Sequence, residues 1–93
     1  MNIRILLFSL LIGLPFAMRA ERVDMRAAGA KANGTTLNTR LINQTIDRLS
    51  KGGGGTLFFP AGRYLTGSIV MKSNITLELE AGATLLFSDD FDQ

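Results

Sequence analysis

The residues of this 93-residue chain that could do chemistry are mostly carboxylates. Glu78 and Glu80 alternate with leucines in ITLELE, so both fall on one strand face, ~6.5–7 Å apart by the strand rise. That spacing suits a general acid and a water-activating base, which stand roughly 6.5–9.5 Å apart in inverting sugar-bond hydrolysis. Two groups on one strand face point the same way, however, and do not flank a substrate. Charged side chains at alternate positions are also what a solvated sheet face requires. Asp89, Asp90 and Asp92 offer oxygen ligands of the kind Ca²⁺ takes, but without the glycine and spaced glutamate of a recognised loop. They read as a polar tail.

The run Gly52 to Gly55 invites comparison with a phosphate cradle. No Gly-Lys-Ser/Thr follows it and no helix begins after it, so that chemistry is excluded. Asn33-Gly-Thr, Asn43-Gln-Thr and Asn74-Ile-Thr fit the glycosylation triplet, a pattern frequent by accident. Arg63 and Tyr64 suit contact with a sugar, but a structural role beneath the first coil fits their position better. The chain has no Cys and no His, which removes disulfides, the usual zinc sites and every His-based triad. No catalytic, cofactor-binding or metal-binding residue is therefore assigned within this chain.

Charge and hydropathy divide the chain near residue 20. MNIR is followed by the uncharged run Ile5 to Met18, the pattern of a secretory signal peptide. The run is shorter than the ~20 residues a bilayer span needs. Residues 1–20 are expected to be removed after Ala20 or Ala17, and residues 21–93 to be secreted or periplasmic without a stable membrane anchor. Arg4 and Arg19 leave with the signal, so the remaining chain holds eight basic and eight acidic residues and is formally neutral. The basic pI of 9.5 is thus no argument for nucleic-acid binding.

The elements that would position these groups follow from periodicity. A short strand is expected around Val23 to Arg26, then a loop rich in Gly, Asn and Thr. Leu41, Ile42, Thr45, Ile46 and Leu49 fall on one helical face. Asn38 suits the N-cap, Lys51 the negative end of the helix dipole, and Gly52 the left-handed residue after the helix. Short strands are expected at TLFF, RYLT, SIVM, ITLELE and ATLLF, with a type I turn at Pro60-Ala61-Gly62. Strands this short, separated by turns of two or three residues, fit a solenoid better than a sandwich. Gly55-Thr56-Leu57 and Ala83-Thr84-Leu85 recur with a spacing of 28, a length compatible with one coil.

Three segments carry a family likeness: the R-x-x-G-A-K stretch at Arg26 to Lys31, GGGGTLFFPAGRYLTG, and SNITLELEAGATL. Together they resemble the amino-terminal region of glycoside hydrolase family 28, the polygalacturonase-type pectin hydrolases, within the pectin lyase-like superfamily. Ala28 departs from the pattern, which usually has an aromatic residue before this glycine, and its small side chain loosens the packing expected there. The resemblance implies a mainly β fold: the first coils of a right-handed parallel β-helix, capped at the amino end by helix 39–51. It also implies inverting hydrolysis of α-1,4 links in pectin or galacturonan.

The family's catalytic motifs are an Asn-Thr-Asp segment, an Asp-Asp pair after Gly, Gly-His-Gly and Arg-Ile-Lys, all on later coils. None occurs here. The expectation is thus an amino-terminal fragment, inactive alone, with no cofactor. Two other readings stay open. One is a small secreted solenoid that binds polysaccharide or a partner; the other is a related rhamnogalacturonan hydrolase or lyase. About two coils without a second cap would also leave strand edges open to self-association.

Overall fold

A computed structural model describes residues 20–88 as six short strands and one helix. The strands are β1 (Glu21–Asp24), β2 (Asn33–Leu37), β3 (Gly55–Phe59), β4 (Gly62–Thr66), β5 (Ile75–Leu79) and β6 (Ala83–Phe87). The helix, α1, spans Thr39–Lys51 between β2 and β3. The chain alternates between two sheets, ordered β1-β3-β5 and β2-β4-β6, and every neighbouring pair is parallel. Each pass along one strand of either sheet makes a layer, and three layers are present: β1 with β2, β3 with β4, and β5 with β6.

Period-two alternation sends one set of side chains between the sheets. Val23, Leu57 and Leu77 stack through the three layers of the first sheet, and Phe59 stacks on Leu79. In the second sheet Tyr64 stacks on Leu85, and Thr66 on Phe87. Phe59 and Tyr64 meet edge to face across the interior, ring centroids 5.1 Å apart and planes at 73°. The Tyr64 hydroxyl donates to the Pro60 carbonyl at 2.6 Å, so this buried phenol leaves no polar atom unpaired.

The helix buries Ile42, Thr45, Ile46 and Leu49 against this core, on the face that the apolar spacing marks. It follows the strands of the first layer rather than preceding them. Its flank lies along residues 67–74, which connect β4 to β5. Thr39 Oγ1 accepts from the Gly67 N–H at 2.6 Å. Asn43 accepts from the Val70 N–H at 2.8 Å and donates to the Ser68 carbonyl at 3.0 Å. Lys72 reaches Asp47 at 2.6 Å. Thr39, Asn43 and Asp47, spaced four apart on one helical stripe, thus supply the partners that a strand backbone would otherwise provide. SIVM is accordingly no strand: it is an extended connector held by helix side chains.

Four further expectations change. Asn33 to Leu37 forms a strand rather than only a loop, bulged so that Asn33 pairs with Arg63 and Leu37 with Leu65. Asn38 makes no side-chain cap bond. Its amide is buried and turned sideways, accepting from the Lys31 N–H at 2.8 Å and donating to the carbonyls of Lys31, Thr36 and Leu65. Gly52 is not left-handed; that conformation falls on Gly53 (φ 106°) and Gly54 (φ 119°). Gly54 N–H bonds to Leu49 O and Gly53 N–H to Ser50 O, the paired bonds of a Schellman ending. Finally, the spacing of 28 is not the layer period. Gly55 pairs with Ile75 and Gly62 with Ala83, offsets of twenty and twenty-one, and the repeated tripeptides lie in different sheets.

Candidate functional site

The outer face of the first sheet carries the two glutamates singled out by spacing. Glu78 meets Arg22 of β1 through two contacts, at 3.0 and 3.4 Å, across the intervening strand. The Arg22 guanidinium lies 4.0 Å above the Phe58 ring between them. Hydrogen bonding to Glu78 holds the Arg22 pKa above its ordinary value. Glu80 instead accepts from the Ala61 N–H at 2.8 Å and fastens the corner between the sheets. Both groups are committed to holding layers together, and they do not face each other across a cleft.

Asp47 sits between two ammonium groups, Lys72 at 2.6 Å and Lys51 at 3.0 Å, and the Lys72 bond above all holds its carboxyl below the usual carboxylate range. Asp24 accepts from the Arg26 and Ala27 N–H groups in an Asx turn. Glu21 forms a double contact with Arg48, at 3.0 and 3.3 Å, tying β1 to α1. Among the described residues no group of three or more acidic, His or Cys side chains is arranged to hold a metal ion. Asp89, Asp90 and Asp92 lie outside the described residues.

Two open clefts flank β1 and α1. One, about 350 Å³, is lined by Glu21, Arg48, Leu49, Gly52 and Gly54. The other, about 310 Å³, is lined by Val23, Ala28, Leu41, Gln44, Thr45 and Arg48. Ala28, where the family resemblance leads one to expect an aromatic residue, is among the residues lining the second. Tyr64 is enclosed in the core, and burial pushes its phenol upward in pKa, so it is no surface sugar contact. Arg63 is exposed on the outer face of the second sheet. Of the three glycosylation triplets, Asn33 is bonded to Thr35 and Thr36 within β2 and Asn43 to residues 68–70, while Asn74 is exposed in a turn at φ 64°.

Sequence reasoning missed the Asn38 hub and the Asn43 clamp. An Asn before a helix signals an N-cap, and one on the polar helical face signals solvent; neither pattern reveals a carbonyl brought in from another layer.

These described residues hold parts of a scaffold, and comparison with known proteins says which. No family model matches the chain. The sequence is 40% identical over 78 residues to a probable polygalacturonase of Vitis vinifera, covering 81% of this chain and 16% of that protein. It is 44% identical over 68 residues to the exo-poly-alpha-D-galacturonosidase of Dickeya chrysanthemi, covering 73% of this chain and 11% of the other. The structure superposes on the family 28 exopolygalacturonase of Yersinia enterocolitica with a TM-score of 0.66 at 43% identity, over 75% of this chain and 12% of that one. The chain thus spans less than a fifth of these curated relatives' length. No helix among the described residues is long and apolar enough to cross a membrane. In sequence and in backbone, this chain resembles the amino-terminal region of the polygalacturonase-type hydrolases of glycoside hydrolase family 28.

Proposed function

We propose that residues 21–93 form the opening coils of a right-handed parallel β-helix in a secreted, polygalacturonase-like hydrolase that acts on pectin or galacturonan. The observation that carries this reading is the joint one: parallel strands alternating between two sheets, and 40–44% identity to galacturonan-degrading relatives over most of the chain. In this reading residues 1–20 are the signal peptide and α1 closes the side of the first layer that has no strand. The role of this region is mechanical. It ends the stack at one side and sets the orientation of the coils that follow, each layer templating the next.

Hydrolysis with inversion needs one carboxylic acid on the leaving oxygen and a carboxylate on the opposite side to activate water. The described carboxylates do not supply that pair, because Glu78 and Glu80 are bonded to Arg22 and Ala61. The catalytic carboxylates of this reading therefore belong to later coils. Residues 21–93 alone are expected to release no reducing ends from polygalacturonate, and turnover by this chain would overturn the assignment of the chemistry elsewhere. The DNA following the Gln93 codon, read in three frames, tests the family reading separately: Asn-Thr-Asp, Asp-Asp and Gly-His-Gly codons are expected there.

A further inference from the structure

Asn33 stands directly before Gly34, at the point where β2 is irregular. Between the pairs Asn33–Arg63 and Leu37–Leu65 the chain advances four residues in β2 and two in β4, so the surplus is folded up rather than extended. Gly34 takes the turn in the left-handed region, at φ 75°. The Asn33 amide closes it from within. Its Oδ1 accepts from the Thr35 N–H at 3.0 Å and the Thr36 N–H at 2.9 Å, and its Nδ2 donates to Thr36 Oγ1 at 2.9 Å. Three bonds to two residues fix the conformation of a side chain that is otherwise exposed.

The bulge is anchored in turn. Thr36 supplies two of the three bonds, and its carbonyl accepts from the Nδ2 of the buried Asn38 at 3.2 Å. The same nitrogen donates to the Leu65 carbonyl of β4 at 3.1 Å. The Asn33 amide is thus held through Asn38 to the neighbouring layer.

Asn is among the thermolabile residues, and the backbone nitrogen that follows it is the reason. That nitrogen bonds to the side-chain carbonyl carbon while the carbon–nitrogen bond of the side-chain amide breaks. The proton it sheds leaves with the amide nitrogen as ammonia, and a five-membered succinimide remains. Water then opens the ring at either carbonyl, giving aspartate or isoaspartate. Glycine offers the least obstructed nitrogen, because no Cβ stands beside it. Asn43 and Asn74 precede Gln44 and Ile75, whose side chains crowd that position. Ring closure needs the side-chain torsions to rotate and the amide nitrogen to depart, and the bonds to Thr35 and Thr36 oppose both.

We propose that Asn33-Gly34 is a modification site gated by the first layer: caged while β2 is paired with β4, and converted through a succinimide to aspartate or isoaspartate when that edge opens. Such local opening takes less free energy than unfolding of the whole. Isoaspartate adds a methylene to the main chain inside the bulge, so the Asn33–Arg63 register does not re-form. Each opening that is caught becomes permanent, and the site records how often the first layer comes apart.

Peptide mapping of the chain after incubation in mildly alkaline buffer, with and without urea, measures conversion at residue 33. In urea Asn33 is expected to convert while Asn43 and Asn74 stay largely intact. In the folded state its conversion should be slower by at least about tenfold, the fraction of time the edge is open. Thr36→Val keeps the N–H but removes the hydroxyl, and should raise the folded-state rate about two- to tenfold, the range one hydrogen bond supplies. Asn38→Ala, which removes bonds to Lys31, Thr36 and Leu65, should raise it further. Neither substitution should alter the rate in urea. Melting curves give a temperature at which every variant is still folded, and rates are compared there. Equal rates in the folded and unfolded chain would abolish the cage, and an unreactive Asn33 in urea would abolish the site. Variants that change the urea rate as much as the folded rate would assign the effect to local chemistry and likewise overturn the gate.

Discussion

The middle and last layers carry the same inward pattern, yet their side chains end in different environments. In β3 and β4, Leu57, Phe59, Tyr64 and Thr66 are wholly buried. Their register partners Leu77 and Leu85 are half-buried, Leu79 is 41% exposed, and Phe87 is 61% exposed. The strands are of equal length and similar composition, so alternation sets only the direction of a side chain. Burial comes from having a layer on both sides, which is how stacked repeats share their stability.

The sharpest way to break this comparison is to cut the same ring in both layers. For this 93-residue chain taken by itself, Phe59→Ala is expected to lose about 3–5 kcal/mol in urea unfolding, while Phe87→Ala loses less than about 1 kcal/mol. Equal losses would show that the last layer is as enclosed as the middle one. A smaller but substantial effect is expected at the junction of the two layers. A methyl at Gly54 would lie 2.6 Å from the Asn74 carbonyl oxygen and 2.7 Å from its Cβ, at a φ that L-residues avoid. Gly54→Ala should therefore lose roughly 1–3 kcal/mol and shift amide protection around Asn74 and Gly55. An unchanged melting curve would mean the turn relaxes freely.

Asn43→Ala tests whether helix side chains do the work of a strand in the first layer. It removes two bonds to residues 68–70 and should cost about 1–2 kcal/mol, with faster hydrogen exchange at Val70. Ala28→Phe fills the cleft between Val23, Leu41 and Thr45. A gain of about 1 kcal/mol, raising Tm by roughly 4–8 °C, is expected if that space is the seat of a missing ring. The least effect belongs to Asp47. Its folded pKa lies below the unfolded one, so its stabilising pairing is present above the ordinary carboxylate range and lost as pH falls through the folded value. The difference in urea midpoint between wild type and Asp47→Asn should be present at pH 6 and close well below about pH 4; a difference that persists in acid would assign Asp47 a role beyond these ion pairs.

Period-two and helical spacing made most of the elements legible, because a single buried face dictates both patterns. ITLELE fell with Leu77 inward and Glu78 outward as its alternation requires, and the buried face of α1 matches its apolar positions. What was not legible depends on neighbours distant in sequence. NGTTL lacks the apolar alternation of a strand, and what makes it one is pairing with β4, a partner distant in sequence, with the Asn33 side chain accepting from Thr35 and Thr36 at the bulge. SIVM has strand composition but faces a helix where its partner strand would be. The glutamates showed suggestive spacing, and only the approach of Arg22 and Ala61 from other layers revealed that both are occupied.

The corner between the second sheet and the next strand of the first has a consequence for how such a protein can be altered. Thirty-four residues separate Glu21 from Gly55, but only twenty separate Gly55 from Ile75, although both pairs are adjacent rungs in the same register. The surplus is α1 with its flanks, accommodated without disturbing strand pairing. The connector from β4 to β5 has no such slack, because Asn43 and Asp47 hold Ser68, Val70 and Lys72, so added length on this edge is absorbed between β2 and β3 and not at residues 68–72.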